Sequence, residues 1–115
     1  MFDTKKILYQ FSGLTISLMP HSGFAHDSVL AVDVGHSILR QGVLSASGKP
    51  EFEFNLALAT TVTDLLSSYG HPVVRIGFDG RMVDLKKRTQ LANASSSAFF
   101  LSIHHDSVQP QYLSQ

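Results

Sequence analysis

The sequence predicts an α/β fold: a three-layer arrangement with a mainly parallel sheet and crossover helices in the order β-α-β-α-β. Three observations lead to it. Near-continuous apolar runs at 29–34, 73–78 and 98–103 have the pattern of strands covered on both faces. Two longer segments of helical pattern, about 50–69 and about 84–95, separate them. Strands that alternate with helices in this way form parallel sheets, because each crossover returns the chain to the same end of the sheet.

The first run, Val29-Leu30-Ala31-Val32-Asp33-Val34, is interrupted only by Asp33. The first helix follows after a loop, and its face can be read at about 100° per residue. With Leu58 as reference, Phe54, Val62, Leu65 and Tyr69 fall within about 40° of it and Leu66 at about 80°, a face expected to pack on the sheet. Pro50 suits the first helical position, where its missing N–H would be unpaired anyway. Glu51 and Glu53 favour the positive end of the helix dipole, and Gly70 is the expected stop. The second run follows the turn sequence Gly70-His71-Pro72, and the third ends in His104-His105-Asp106. The charge run Asp84-Leu85-Lys86-Lys87-Arg88 reads as a solvated helix face.

A chain of 115 residues is bounded to one small domain. Nine Lys+Arg against nine Asp+Glu leave no basic excess, so no nucleic-acid partner is expected. Charged residues are 16%, below the roughly 25% of an ordinary domain, which argues against disorder. Without cysteine there is no disulfide framework, thiolate zinc site or cysteine nucleophile, so a metal here needs histidine and carboxylate ligands. Six histidines allow that.

Residues 1–25 read separately as a signal peptide. Lys5 and Lys6 precede an apolar stretch from Ile7 to Met19, and Gly23-Phe24-Ala25 places small residues two apart, so cleavage is expected near Ala25. The stretch is too short for a stable membrane anchor, which needs about 20 apolar residues. Gln10, Ser12, Thr15, Ser17 and Pro20 dilute it, which is also the composition of a loosely structured N-terminal extension. Removing it takes away Lys5, Lys6 and Asp3 and leaves the rest near neutral.

In such a fold the C-terminal ends of the strands and the N-termini of the following helices meet at one rim, where α/β sheets bind ligands. His36 follows the first strand, Glu51 opens the first helix, and His104 and His105 close the third strand. Glu51 lies about 20° from Leu58, on the inward side, and Glu53 about 140° away, toward water. An inward carboxylate needs a partner. A cap on the helix, a pairing with arginine and a metal all meet that need, and position alone leaves them open. Two histidines and one glutamate from separate elements form a common catalytic zinc set. Against it, a histidine after a strand also serves as a hydrogen-bonded loop residue, and His104-His105 as polar punctuation. His71, in its turn, and His21, in the expected signal, are read as non-functional. The loop 37–49 is longer than most βα connections, rich in Ser and Gly, and contains Arg40. It suits the border of a substrate groove and equally a surface insertion.

Several blocks in order, Val32-Asp33-Val34-Gly35-His36, Pro50 to Ala59, Leu85 and Arg88 with Leu91-Ala92-Asn93, and Phe100 to Asp106, resemble the zinc-dependent N-acetylmuramoyl-L-alanine amidases of bacterial cell walls (amidase family 3). The resemblance runs over about residues 29–108. It implies zinc as cofactor, held by His36, Glu51 and His104, and peptidoglycan as partner. The reaction it implies is hydrolysis of the amide between N-acetylmuramic acid and L-alanine, in the periplasm or cell envelope of an exported protein. Asp33 and Asp106 are candidates to orient a ligand histidine from behind.

Family members are similar in having a further catalytic glutamate well beyond the second histidine. The only glutamates here are Glu51 and Glu53, so the catalytic base is unassigned. The expectation is therefore a partial amidase catalytic domain over 28–108, the N-terminal portion, followed by a polar tail at 109–115. It is expected to bind zinc with little turnover. Two other readings fit the same residues: a non-catalytic peptidoglycan-binding or regulatory module, and a zinc peptidase with a similar His/Glu site.

Overall fold

The computed structural model describes residues 7–11 and 14–20, as backbone, and 28–105. Among the described residues seven elements follow one another: β1 (Ile7–Phe11), β2 (Leu14–Pro20), β3 (Leu30–Val34), α1 (Glu51–Ser68), β4 (Val73–Ile76), α2 (Leu85–Ala94) and β5 (Phe99–His105). They form one five-stranded sheet in the order β1-β2-β5-β3-β4. The predicted β-α-β-α-β unit is its parallel part: β3 pairs parallel with β4 on one side and with β5 on the other.

Alternation along β3 sends successive side chains to opposite faces. Val32 and Val34 join Phe52, Ala59 and Ile103 on the α1 face. Ala31 joins Ile76, Ala92 and Phe100 on the α2 face. The helices therefore cover opposite faces, giving three layers. The chain leaves β3 outward to β4 through α1, then crosses back over β3 to β5 through α2. This reversal makes the C-terminal ends of β3 and β5 a topological switch point, where ligands bind in open α/β sheets.

Helix α1 starts at Glu51, one residue later than expected, with Pro50 as its cap residue in extended conformation. It ends as its sequence indicates: Gly70, at φ 88°, lets the Gly70 and His71 amides donate to the Ser67 and Leu66 carbonyls. Its buried stripe is rotated from the expected one. Phe52, Asn55, Ala59 and Thr63 are buried, whereas Leu65 is 54% and Tyr69 66% exposed. Small and polar residues let the helix lie close to the sheet, with Leu58 and Val62 packed at its flank. Length explains the far end: 18 helical residues span about 27 Å, against about 17 Å for a five-residue strand, so the last turns overhang the sheet.

The apolar stretch 7–19, expected as the core of a signal peptide, supplies β1 and β2. Its alternation of Leu14, Ile16 and Leu18 with Thr15 and Ser17 has the period of a strand. β2 pairs antiparallel with β5, setting Thr15 opposite His104. Ala25, His21, Asp106 and the tail 109–115 lie outside the described residues. Among the described residues no helix is long and apolar enough to cross a membrane.

Candidate metal centre

Three side chains converge at the switch point. His36 follows β3 by two residues, Glu51 is the first residue of α1, and His104 is next to last in β5. His36 Nε2 lies 3.1 Å from Glu51 Oε2, and His104 Nδ1 lies 3.5 Å from Glu51 Oε1. The two imidazoles meet edge to face, ring centres 5.2 Å apart. One ligand atom from each of the three residues falls within 4.8 Å of the others. Neighbouring ligands of a tetrahedral zinc with bonds of about 2.0–2.1 Å stand about 3.4 Å apart, close to the two spacings from Glu51, each of which ends on a different carboxylate oxygen. The donor set, two imidazole nitrogens and a carboxylate, is one that zinc accepts.

Glu51 is inward and Glu53 exposed, as the helical angle predicts. At 3% exposure Glu51 needs compensation, and it has it: the His105 amide donates to Oε1 at 3.0 Å, Asn55 Nδ2 donates to the same oxygen at 3.3 Å, and the Val43 amide approaches Oε2 at 3.5 Å. Asn55, wholly buried, also donates Nδ2 to the Gly35 carbonyl, which turns its Oδ1 toward His105 Nδ1 at 2.8 Å. His105 is therefore the donor in that bond, its proton on Nδ1. Asn55 was absent from the sequence-derived candidates, although four residues after Glu51 is the spacing that puts two side chains on one helix face.

The loop 37–49 folds back over the site. Its Val43 and Gln41 carbonyls accept the Glu51 and Phe52 amides at the open start of α1. Gly42, at φ 79°, passes so close that a Cβ there would stand 2.5 Å from Glu51 Oε2 and 2.9 Å from His36 Nε2. Gly35 is equally tight, with His104 Nδ1 at 2.5 Å from such an atom. Beside the histidines opens a cavity of about 250 Å³ lined by His36, Ser37, Arg40, Met82, Leu85 and His104 among others. The loop thus does border a groove, with Arg40 on it.

Two expectations change. The Asp84–Arg88 run is solvated only in part: Asp84, Leu85, Lys86 and Lys87 are exposed, but Arg88 is buried at 3% exposure. It turns inward because Asp33, on the α2 face of β3, holds a buried carboxylate whose Oδ1 accepts from Arg88 Nη1 at 2.7 Å. The other oxygen of Asp33 accepts from Ser102 Oγ at 2.6 Å. Asp33, proposed to orient a ligand histidine, therefore has its oxygens on Arg88 and Ser102. Asp106, its companion candidate, falls outside the described residues. His71 lies in its turn before β4, at the opposite end of the sheet from the three converging side chains.

Comparison with known proteins bears on the same residues. The family model described as N-acetylmuramoyl-L-alanine amidase matches residues 30–114, which include all three converging side chains. The chain belongs to this amidase family. Among solved structures it is similar to the N-acetylmuramoyl-L-alanine amidase AmiC2 of Nostoc punctiforme, with a TM-score of 0.67 and 24% identity, a likeness of fold. That alignment covers 73% of this chain and 47% of the other, so the chain spans about half the length of the amidase it matches. The comparison with curated proteins returns no match.

Proposed function

We propose that the chain holds zinc through His36, Glu51 and His104 and serves hydrolysis of the amide between N-acetylmuramic acid and the L-alanine of the peptidoglycan stem peptide. The observation that supports this most is the buried Glu51 carboxylate with an imidazole nitrogen near each oxygen, 3.1 and 3.5 Å away, inside a family match. Bound zinc would supply Lewis acidity toward a carbonyl and lower the pKa of water at the site. The protein's own part is to orient. Asn55 and the His105 amide fix the Glu51 carboxylate, and the two half-buried histidines border the groove from which substrate arrives. Arg40 lies on that groove, suited to an acidic stem peptide.

Among the described residues, the groove presents no carboxylate to act as general base: Glu53 is exposed and Asp33 is engaged with Arg88 and Ser102. The chain is expected to bind zinc and to release stem peptides slowly. Export to the periplasm or cell envelope, with residues 1–25 as leader, accompanies this reading. In that event β1 and β2 would leave with the leader and the outer edge of β5 would be freed.

The test is zinc content per chain together with release of stem peptides from purified sacculi. Zinc with slow release at the muramyl amide supports the proposal. Zinc with sacculus binding and no release favours the non-catalytic module, which the lack of a free carboxylate on the groove makes the second reading. Cleavage between amino acids that spares the muramyl amide favours a zinc peptidase. A chain that takes up no zinc overturns the proposal.

A further inference from the structure

Resting on the metal reading above, we propose that Arg88 is a positioning residue for His36, fixing the backbone from which that imidazole reaches Glu51. Four acceptors meet one guanidinium. Nη1 donates to Asp33 Oδ1 at 2.7 Å and to the Val34 carbonyl, and Nη2 donates to the His36 carbonyl at 2.8 Å and to the Met82 carbonyl. The bond to His36 ends on its backbone, so Arg88 acts through the direction of the chain.

That backbone needs holding. His36 has φ 65°, the left-handed region that a non-glycine residue seldom adopts, and the direction of its side chain depends on it. Beside it the chain has already left β3, so no ladder bond fixes the peptide that follows the ligand; the Ser37 amide of that peptide donates to the Arg40 carbonyl at 3.0 Å, and its carbonyl remains for another group to fix. The planar fork of Arg88 does so, using the end of β3 and the segment before α2 as its other anchors. Room for the fork comes from Gly77, where a Cβ would stand 3.0 Å from Arg88 Nη1. Through Asp33 the same network reaches Ser102 on β5, two residues before His104. Both strands that present a histidine are thereby joined on the α2 face, beneath the site.

Lysine keeps a cation opposite Asp33 but lacks the geometry to serve four acceptors around a plane. Arg88→Lys in the full 115-residue chain is therefore expected to remain folded and to bind zinc about tenfold to a hundredfold more weakly, the loss typical when a partner orienting a metal ligand is removed. Zinc alone is the probe, titrated against a competing chelator, with circular dichroism to follow folding. His36→Ala should weaken zinc binding by itself, and adding Arg88→Lys to it should weaken binding no further, since the effect passes through His36. Equal losses from Arg88→Lys in both backgrounds would overturn the inference, as would unchanged zinc affinity in Arg88→Lys. Wild-type chain that binds no zinc overturns the metal reading and this inference together. A wild type that binds and a His36→Ala chain that does not, beside an unaffected Arg88→Lys, removes Arg88 alone. Should the lysine chain not fold, the wild type carries the test. Its Arg88 guanidinium N–H resonances are expected to shift on zinc addition, and resonances that stay in place overturn the inference.

Discussion

At Gly42 the backbone runs against two of the converging side chains, and a single methyl group would enter the space that Glu51 Oε2 and His36 Nε2 occupy. Gly48, in the same loop, has nearly the same dihedral, φ 81° against φ 79°, and nothing within 4 Å of the place where a Cβ would stand. The two positions share a backbone cost, about 1–2 kcal/mol for a left-handed alanine, and differ only in what the methyl meets. Gly42→Ala should therefore weaken zinc binding at least about tenfold, the lower end of what a disturbed ligand environment costs. Gly48→Ala should lower stability slightly and leave zinc affinity as it was. Calorimetric zinc titration of the pair checks this, and equal affinities in the two variants would mean that the loop is free to move off the ligands.

Helix α2 presents the same separation between stability and site. Its cap is Asp84, whose carboxylate accepts from the Lys86 and Lys87 amides at 2.8 and 3.4 Å. Asp84→Ala should cost about 1 kcal/mol of folding stability, as lost helix caps do, and show in urea unfolding without changing zinc affinity. Elements were the most legible part of the sequence, because local chemistry marks their ends: Pro50 at the start of α1 and Gly70 after it. The inward Glu51 and outward Glu53 were legible for the same reason, being a matter of angle on one helix. Leu65 and Tyr69 were not, since their exposure depends on how far the strands extend beneath α1. Arg88 was hidden by its neighbours. Lys86 and Lys87 do face water, and only a carboxylate 55 positions away in the chain, Asp33, draws the third cation inward. Strands β1 and β2 show the converse: the segment 14–18 has the alternation of a strand, and the lysines before the apolar stretch give the same residues the pattern of a leader.

At the scale of the molecule, the three candidate ligands come from just beyond β3, α1's start and β5's end, and only the folded sheet brings them together. Zinc should therefore bind the native chain far better than the unfolded one, and binding that excludes the unfolded state stabilises by RT ln(1 + [L]/Kd). With free zinc at a hundred times Kd this amounts to about 2.7 kcal/mol, which for a domain of this size corresponds to a rise in Tm of roughly 10–20 °C. The expected outcome is a Tm that climbs with zinc, returns to its starting value with EDTA, and responds little in His36→Ala or Glu51→Ala. The two variants should differ in the absence of metal. Glu51→Ala leaves the His105 amide and one of the two N–H groups of the buried Asn55 Nδ2 without an acceptor, whereas His36→Ala takes one partner from Glu51 Oε2, which keeps the Val43 amide at 3.5 Å. Apo Glu51→Ala should accordingly melt below apo His36→Ala. If the order were reversed, the Glu51 carboxylate would be a strained group that folding tolerates and only metal relieves.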